Sequence, residues 1–341
     1  MSLWAVIPAY RASATIVRVV ERALQSVDVV VVVDDACPER SGEIVSAAFP
    51  ADVRVRVIRL PKNRGVGGAT KAGFALALEA DASIVVKLDA DDQMDATFIP
   101  YMVELLHDHP QIALVKGNRF GSNAVLRTMP IVRLIGNSGL SFLVKIASGY
   151  WNLIDPTNGY IALRTDALRD LDLGRLADRY FFEIDLLCAL GIRRASIAEL
   201  QMDPIYLGEN SSLSITKTLV SFPGPLLQRT LRRLFVQYVI ADINVATLYA
   251  ALGIPLFVIG AIFGLYQWHE SHVTELPRTS GTVVLALLFF IIGFQLMLQA
   301  VAYDVSEATR TLKAKVIRGA LEASSSAELH AMVGEKSRIA R

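Results

Sequence analysis

The chain has 341 residues, a formal net charge of +1 and a composition that is 53% hydrophobic but only 20% charged. Soluble enzymes usually carry about a quarter charged residues, and a mean hydropathy of +0.42 is high for a soluble protein. Disordered, fibrous and disulfide-scaffold classes are excluded, and so near-neutral a chain lacks the basic field that binds duplex nucleic acid.

Short runs rich in branched residues at Ala5–Ile7, Val29–Val33, Val53–Arg59, Ile84–Leu88 and Ile112–Lys116 read as strands. Helical patterns lie between them at about Ala14–Ser26, Gly67–Glu79 and Ala96–Asp108. That alternation predicts a mostly parallel sheet covered on both faces, with ligands at the carboxyl ends of its strands. Cys37 and Cys188 lie far apart without C-x-x-C spacing, which suits buried thiols in a reducing compartment.

From Ile243 to His269, and again from Thr279 to Tyr303, there is no Asp, Glu, Lys or Arg. Each run exceeds the roughly 20 residues a helix needs to cross a bilayer. Spans are expected at about Ala246–Trp268 and Thr282–Ala302, with Trp268 and Tyr303 at interface positions and Pro255 inside the first span. Arg229, Arg232 and Arg233 precede the pair, and Arg310, Lys313, Lys315 and Arg318 follow it. The loop between carries Arg278 with Glu270 and Glu275, so the positive-inside rule places that loop outside and both chain ends in the cytoplasm. No cleavable signal is expected, because Leu3–Ile7 is short, lacks a basic flank and stops at Pro8.

The expected organisation is a cytoplasmic α/β domain over residues 1–220, an interfacial juxtamembrane helix over 221–242, two transmembrane helices over 243–303 and a cytoplasmic tail over 304–341. Between Pro225 and Ile240 the arginines interleave with Leu226, Leu227, Leu231, Leu234, Phe235 and Val236. That suits a helix lying in the membrane interface, and equally a basic stop before a span. The tail mixes Leu312, Val316, Ile317 and Leu321 with basic residues, which suits a second surface helix or an oligomer contact.

Two acidic groups follow strands: Asp34-Asp35, and Asp89-Ala90-Asp91-Asp92-Gln93. Acids at alternate positions on a turn can converge on one hard cation, although Asp is also favoured in turns and helix caps. An EF-hand fails, since Met94 and Pro100 stand where Gly and Glu are needed. The segment Asn63-Arg64-Gly65-Val66-Gly67-Gly68-Ala69 fails as a dinucleotide fingerprint, being followed by Thr70, and as a phosphate loop, since Gly73 runs into Phe74. It reads as a turn into a helix, near which a substrate phosphate or another stretch of backbone would fit.

Six segments in order resemble the inverting family-two glycosyltransferases of GT-A fold, and within them the polyprenyl-phosphate (dolichol- or undecaprenyl-phosphate) sugar transferases. They are Val6–Tyr10, Val31–Asp35, Asn63–Gly67, Leu88–Gln93, Lys116–Phe120 and Asp155–Tyr160. The resemblance covers about Leu3 to Ser214. It implies a GT-A-type, Rossmann-like α/β domain that moves one sugar from a UDP- or GDP-linked donor to a polyprenyl phosphate, with a membrane hairpin attached. By position it implies that Pro8, Tyr10, Val33, Asp35 and Gly65 bind the nucleotide sugar, and that Asp89, Asp91 and Gln93 hold Mg2+ or Mn2+ and the diphosphate. Asp92 is expected to cap the following helix. Arg119, Arg133 and Asn137 match the acceptor-phosphate positions. Asp155 shapes the acceptor loop together with Gly159, and Glu183 or Asp185 falls near the sugar, with Asp155 and Asp185 assigned to positioning.

A lipid phosphate is already anionic near neutral pH, so no strong catalytic base is required. Cys37 stands where the family usually has Ser. The later donor-covering loop reads Gly208-Glu209-Asn210-Ser211-Ser212, with Lys217 the nearest cation downstream. Transfer to another membrane lipid or a lipid-linked saccharide, and a non-catalytic scaffold in sugar-lipid translocation, are the alternatives.

Overall fold

The computed structural model describes residues 2–119, 131–202, 221–308, 312–317 and 320–323, the backbone alone at 131–135, 137, 315–317 and 320–323. By contacts the chain divides into two units: Met1–Arg229 joined by the strands beyond residue 311, and Thr230–Ala308.

The first unit is built on strands β1 (Leu3–Ala9), β2 (Val29–Asp34), β3 (Val55–Arg59), β4 (Ile84–Lys87), β5 (Ile112–Asn118), β6 (Ile161–Arg164), β7 (Ser196–Gln201), β8 (Leu312–Ile317) and β9 (Ala320–Ala323). Their order in the sheet is β3-β2-β1-β4-β6-β5-β7-β8-β9. Only β6, which runs against β4 and β5, and the terminal β8–β9 pair are antiparallel. The five valines of β2 explain why this sheet has two covered faces. Val31 and Val33 pack into one core with Val6 and Val85, while Val30 and Val32 pack into the other with Ala5, Ile7 and Val86.

Among the helices, α1 (Ile16–Ala23) buries Ile16, Val19, Val20 and Ala23, a stripe of helical spacing. It is followed by α2 (Ser41–Ala48), α3 (Gly65–Glu79), α4 (Ile99–Asp108), α5 (Ile131–Ser148), α6 (Thr165–Arg169) and α7 (Phe182–Ile192). The five expected strands are present with small shifts at their ends. The tail differs from expectation. Leu312-Lys-Ala-Lys-Val-Ile alternates with period two, and it adds to the sheet edge beside β7 as a strand rather than forming a helix.

The helix α8 (Pro223–Phe235) spans the boundary between the units, and Leu226 belongs to the first unit's core. In the second unit a π-helical turn at Val236–Ile240 precedes α9 (Val245–Thr274) and α10 (Ser280–Ser306). Both long helices are apolar and long enough to cross a membrane. Asn244 and Thr247 form a reciprocal capping box at the start of α9. The two backbones meet at Gly253, Gly260 and Gly293, and a Cβ on Gly253 would stand 3.1 Å from the Gly293 carbonyl oxygen. Near the end of α10, buried Asp304 is held by Arg233 through Nη1 at 2.7 Å and Nη2 at 2.9 Å, and accepts from the Tyr238 hydroxyl at 2.5 Å. Arg233 Nη1 also donates to Gln237 Oε1 at 2.9 Å.

Candidate active site

The acidic residues gather at the carboxyl ends of β2 and β4, and each pair is organised differently. Asp34 and Asp35 spend their carboxylates on backbone. Asp34 accepts from the amides of Cys37 at 2.7 Å and Gly42 at 2.8 Å, which closes the turn after β2. Asp35 accepts from the amides of Arg64 at 2.7 Å and Gly65 at 2.8 Å, so it fixes the entry of α3. Gly65 has φ +82°, a left-handed conformation that costs glycine little. The amide of Gly68 donates to Asp178 O at 2.7 Å. Of the two candidates for the start of this helix, backbone is what the structure places there.

Pro8 and Val33 are buried neighbours in the β1–β2 register, and exposed Tyr10 follows with Arg11 stacked 5.5 Å from its ring centre. A cavity of about 480 Å³ opens at the ends of β2 and β3, lined by Ala36, Cys37, Pro38, Arg40, Arg59, Leu60 and Pro61. The Cys37 thiol sits among donors: burial raises its pKa, but hydrogen bonds from Ser41 and neighbouring backbone outweigh that and lower it.

Asp89 and Asp91 present carboxylates from the turn after β4. Burial and the charge of Asp89 together raise the Asp91 carboxyl above the usual range, which is the like-charge strain a cation relieves. Asp91 Oδ1 accepts from the Gln93 amide at 3.1 Å, and the Gln93 side chain is exposed. Among the described residues no three His, Cys, Asp or Glu side chains form a metal cage. The pair therefore suits an open site, completed by phosphate oxygens and water in the manner of Mg2+.

Behind this turn stands Lys87, fully buried, with Asp89 Oδ1 at 2.7 Å and Glu183 Oε1 at 2.9 Å from its Nζ. Burial alone would lower its pKa, but the two carboxylates raise it well above the ordinary lysine value. A Cβ on Gly159 would come to 2.5 Å from that Nζ, so the loop lies close over the cluster and a larger residue there would displace the lysine tip. Sequence reasoning missed Lys87, although a charge inside the branched run Ile84–Leu88 was a signal.

One site expectation is corrected, and the two acids offered together on α7 take different partners. Asp92 does not cap the next helix. Its carboxylate meets Arg22 at 2.8 Å and Arg18 at 3.2 Å, and the cap is Asp95, which accepts from the Thr97 amide at 3.0 Å. Asp185 takes partners other than Lys87 and Asp89. It is bound by Arg229 of α8, with Nε at 2.6 Å and Nη2 at 2.8 Å, and accepts from the Ala177 amide at 2.9 Å. Glu183, two residues earlier on α7, is the acid that joins Lys87 and Asp89.

Across β6, Arg119 at the end of β5 is held in a fork by buried Asp155, with Nε at 2.9 Å from Oδ2 and Nη2 at 3.1 Å from Oδ1. Asp155 is held in turn, since Glu199 of β7 accepts from the amides of Ile154 at 2.9 Å and Asp155 at 2.8 Å. Burial raises the Glu199 carboxyl. Glu199 was another charge overlooked within a buried strand. Arg133 and Asn137 lie on α5, their side chains outside the described residues, as are Gly208–Ser212 and Lys217.

Lys116, fully buried on β5, donates to the main-chain oxygen of Asn158 and pins the same loop. Burial draws its pKa down to about 8, against the opposing pull of Asp155. Its proton is therefore bound more weakly folded than unfolded, so its contribution to stability grows as pH rises from about 8 toward the unfolded value near 10.5. Relative to Lys116→Met, the wild type is expected to gain about 2–3 kcal/mol between roughly pH 7 and 10, read by unfolding in detergent at each pH.

The family model described as "Glycosyl transferase family 2" matches residues 4–172. The UDP-N-acetylglucosamine–dolichyl-phosphate N-acetylglucosaminyltransferase of Methanococcus voltae is 27% identical over 234 residues, covering 64% of this chain and 92% of that protein. The undecaprenyl-phosphate mannosyltransferase of Micrococcus luteus is 32% identical over 158 residues, covering 46% of this chain and 63% of its own length. Among solved structures, glucosyl-3-phosphoglycerate synthase from Mycobacterium tuberculosis superposes with a TM-score of 0.50 at 21% identity, over 71% of this chain and 81% of that one, a likeness of fold. With a mostly parallel α/β sheet of this kind and carboxylates at its strand ends, residues 4–172 form a glycosyl transferase family 2 domain.

Proposed function

We propose that this protein transfers a single sugar from a UDP- or GDP-linked donor to a polyprenyl phosphate at the cytoplasmic face of a membrane, inverting the anomeric carbon. The observation that carries the acceptor assignment is Arg119, held by the Asp155 fork so that its orientation is set before any substrate arrives. An anionic phosphate oxygen needs a cationic, oriented partner and no base to remove a proton. The curated relatives bearing dolichyl-phosphate and undecaprenyl-phosphate in their names support the same class of acceptor.

In this account Pro8, Tyr10 and Val33 receive the nucleoside, and Asp35, its carboxylate engaged by the Arg64 and Gly65 amides, shapes that pocket through the turn it braces. Asp89 and Asp91, with Gln93, are the residues that would hold a divalent ion. That ion supplies charge stabilisation for the departing nucleoside diphosphate. Arg119, joined by Arg133 and Asn137 from α5, orients the lipid phosphate for in-line attack. Lys87 offsets part of the negative charge of Asp89 and Glu183, and Asp155 serves as a positioning residue.

The strand order supports the placement of both chain ends on one side of the membrane. β8 pairs with β7 in one sheet although two span-length helices lie between them in sequence. A hydrogen-bonded sheet does not assemble through a bilayer. A chain that leaves into α9 and returns by α10 to the face it left suits that pairing, and the flanking Arg and Lys residues favour the cytoplasmic face for it.

The test is a donor-by-acceptor screen of the detergent-purified protein with radiolabelled UDP- and GDP-sugars, Mg2+ or Mn2+, and polyprenyl phosphate present or omitted. Organic-extractable label that requires both metal and lipid phosphate is the expected result. Label formed equally well on a neutral lipid, or none with any donor, contradicts the assignment.

A further inference from the structure

The turn that carries Asp89 and Asp91 is gripped from behind by one face of α1 and the residue that caps it. Thr15 Oγ1 donates to Ala90 O at 2.6 Å, Arg18 Nη1 lies 3.2 Å from Asp92 Oδ2, and Arg22 Nη1 lies 2.8 Å from Asp92 Oδ1. Positions 15, 18 and 22 follow helical spacing and share one stripe, while Ile16, Val19, Val20 and Ala23 form the neighbouring stripe that packs into the core. The gripped residue is in an unusual state. Asp92 has φ +62° and a side chain 3% exposed, so it carries a left-handed backbone and a buried charge together. Asp tolerates that backbone better than most residues, and a buried carboxylate persists only when paired. Both arginines are about half exposed and reach the charge from solvent, which lets the turn be clamped without burying three charges.

We propose that α1 is the template of this turn: Thr15, Arg18, Arg22 and Asp92 are positioning residues that set where Asp89 and Asp91 offer oxygens to a divalent cation. Without the clamp, Asp92 relaxes out of its left-handed backbone and the turn shifts the carboxylates of Asp89 and Asp91. The inference rests on the metal reading above, but it concerns residues outside the metal and nucleotide positions.

The experiment is Mn2+ binding to the full-length detergent-purified chain, metal alone, followed by the electron paramagnetic resonance signal of free Mn2+, alongside thermal unfolding. The Arg18→Gln/Arg22→Gln double variant and Asp92→Asn, which keeps the tolerance for positive φ, are each expected to weaken Mn2+ binding about tenfold. The Arg18→Lys/Arg22→Lys variant keeps its ionic partners and is expected to stay within about threefold of wild type. Transfer by the glutamine variant recovers at saturating Mn2+, with an unchanged KM for the lipid acceptor. Wild-type affinity in folded glutamine and Asp92→Asn variants overturns the template. If the glutamine variant does not fold, Thr15→Val decides, with a twofold to threefold loss expected and no loss contradicting it. Absence of Mn2+ binding by the wild type, both alone and with UDP or GDP added to supply the phosphate oxygens, overturns the metal reading itself, a separate and recognisable result.

Discussion

Replacing Asp89 and Asp91 together by asparagine is expected to reduce sugar transfer by roughly a thousandfold or more, the scale seen when charge stabilisation at a leaving group is removed. The substitution keeps side-chain shape and leaves Lys87 paired with Glu183 at 2.9 Å, so folding is expected to survive. Initial rates with saturating donor and lipid phosphate measure it, with thermal unfolding as the control. Undiminished transfer would remove the carboxylate turn from the mechanism. Undiminished cellular function with no transfer in either form would favour the scaffold alternative.

The second large effect lies in the membrane unit. Arg233→Met removes the guanidinium fork from buried Asp304, which still accepts from the Tyr238 hydroxyl at 2.5 Å. Breaking a buried pair on one side typically costs about 3–5 kcal/mol, because the surviving charge is stranded, whereas replacing both partners by apolar residues is often close to neutral. Arg233→Met is therefore expected to unfold markedly earlier in detergent, and the Arg233→Met/Asp304→Leu double variant to recover most of the loss. Equal instability of the single and double variants would show that the pair contributes packing rather than charge.

These effects differ in how far the sequence announced them. The strand-then-acid pattern was legible because β2 is five valines followed by Asp34-Asp35, and β4 runs directly into Asp89. Both span-length helices were legible from uncharged runs alone. The partners of the acids were not. Asp92 is answered by Arg18 and Arg22 from some seventy positions away, and local rules see only a capping residue. Glu183 and Asp185 read as interchangeable, yet two residues on a helix point about 200° apart. One therefore enters the Lys87 cluster while the other takes Arg229. The strand β6 is four residues with no alternation, placed by its neighbours β4 and β5 rather than by its own composition. In the tail, the period-two pattern of Leu312–Ile317 was present and was outweighed by the basic residues around it.

Lys87, Lys116 and Glu199 make the same point about the site. Each is a charge inside a hydrophobic strand, where an unpaired ion would be prohibitive. Each turns out to brace a loop that carries a proposed functional group: Lys87 the Asp89 turn, Lys116 the Asn158 loop, and Glu199 the Asp155 turn that holds Arg119. A buried charge in a strand that ends at a ligand site is a usable signal when its partner lies across the sheet.

The most direct measurement is the chemical identity of the product made by the protein reconstituted in liposomes containing polyprenyl phosphate. The expected product is the lipid phosphate bearing one sugar, joined through a phosphate oxygen with the anomeric configuration opposite to the donor's. A product with the sugar on a hydroxyl, with more than one sugar added, or with retained configuration would contradict the account.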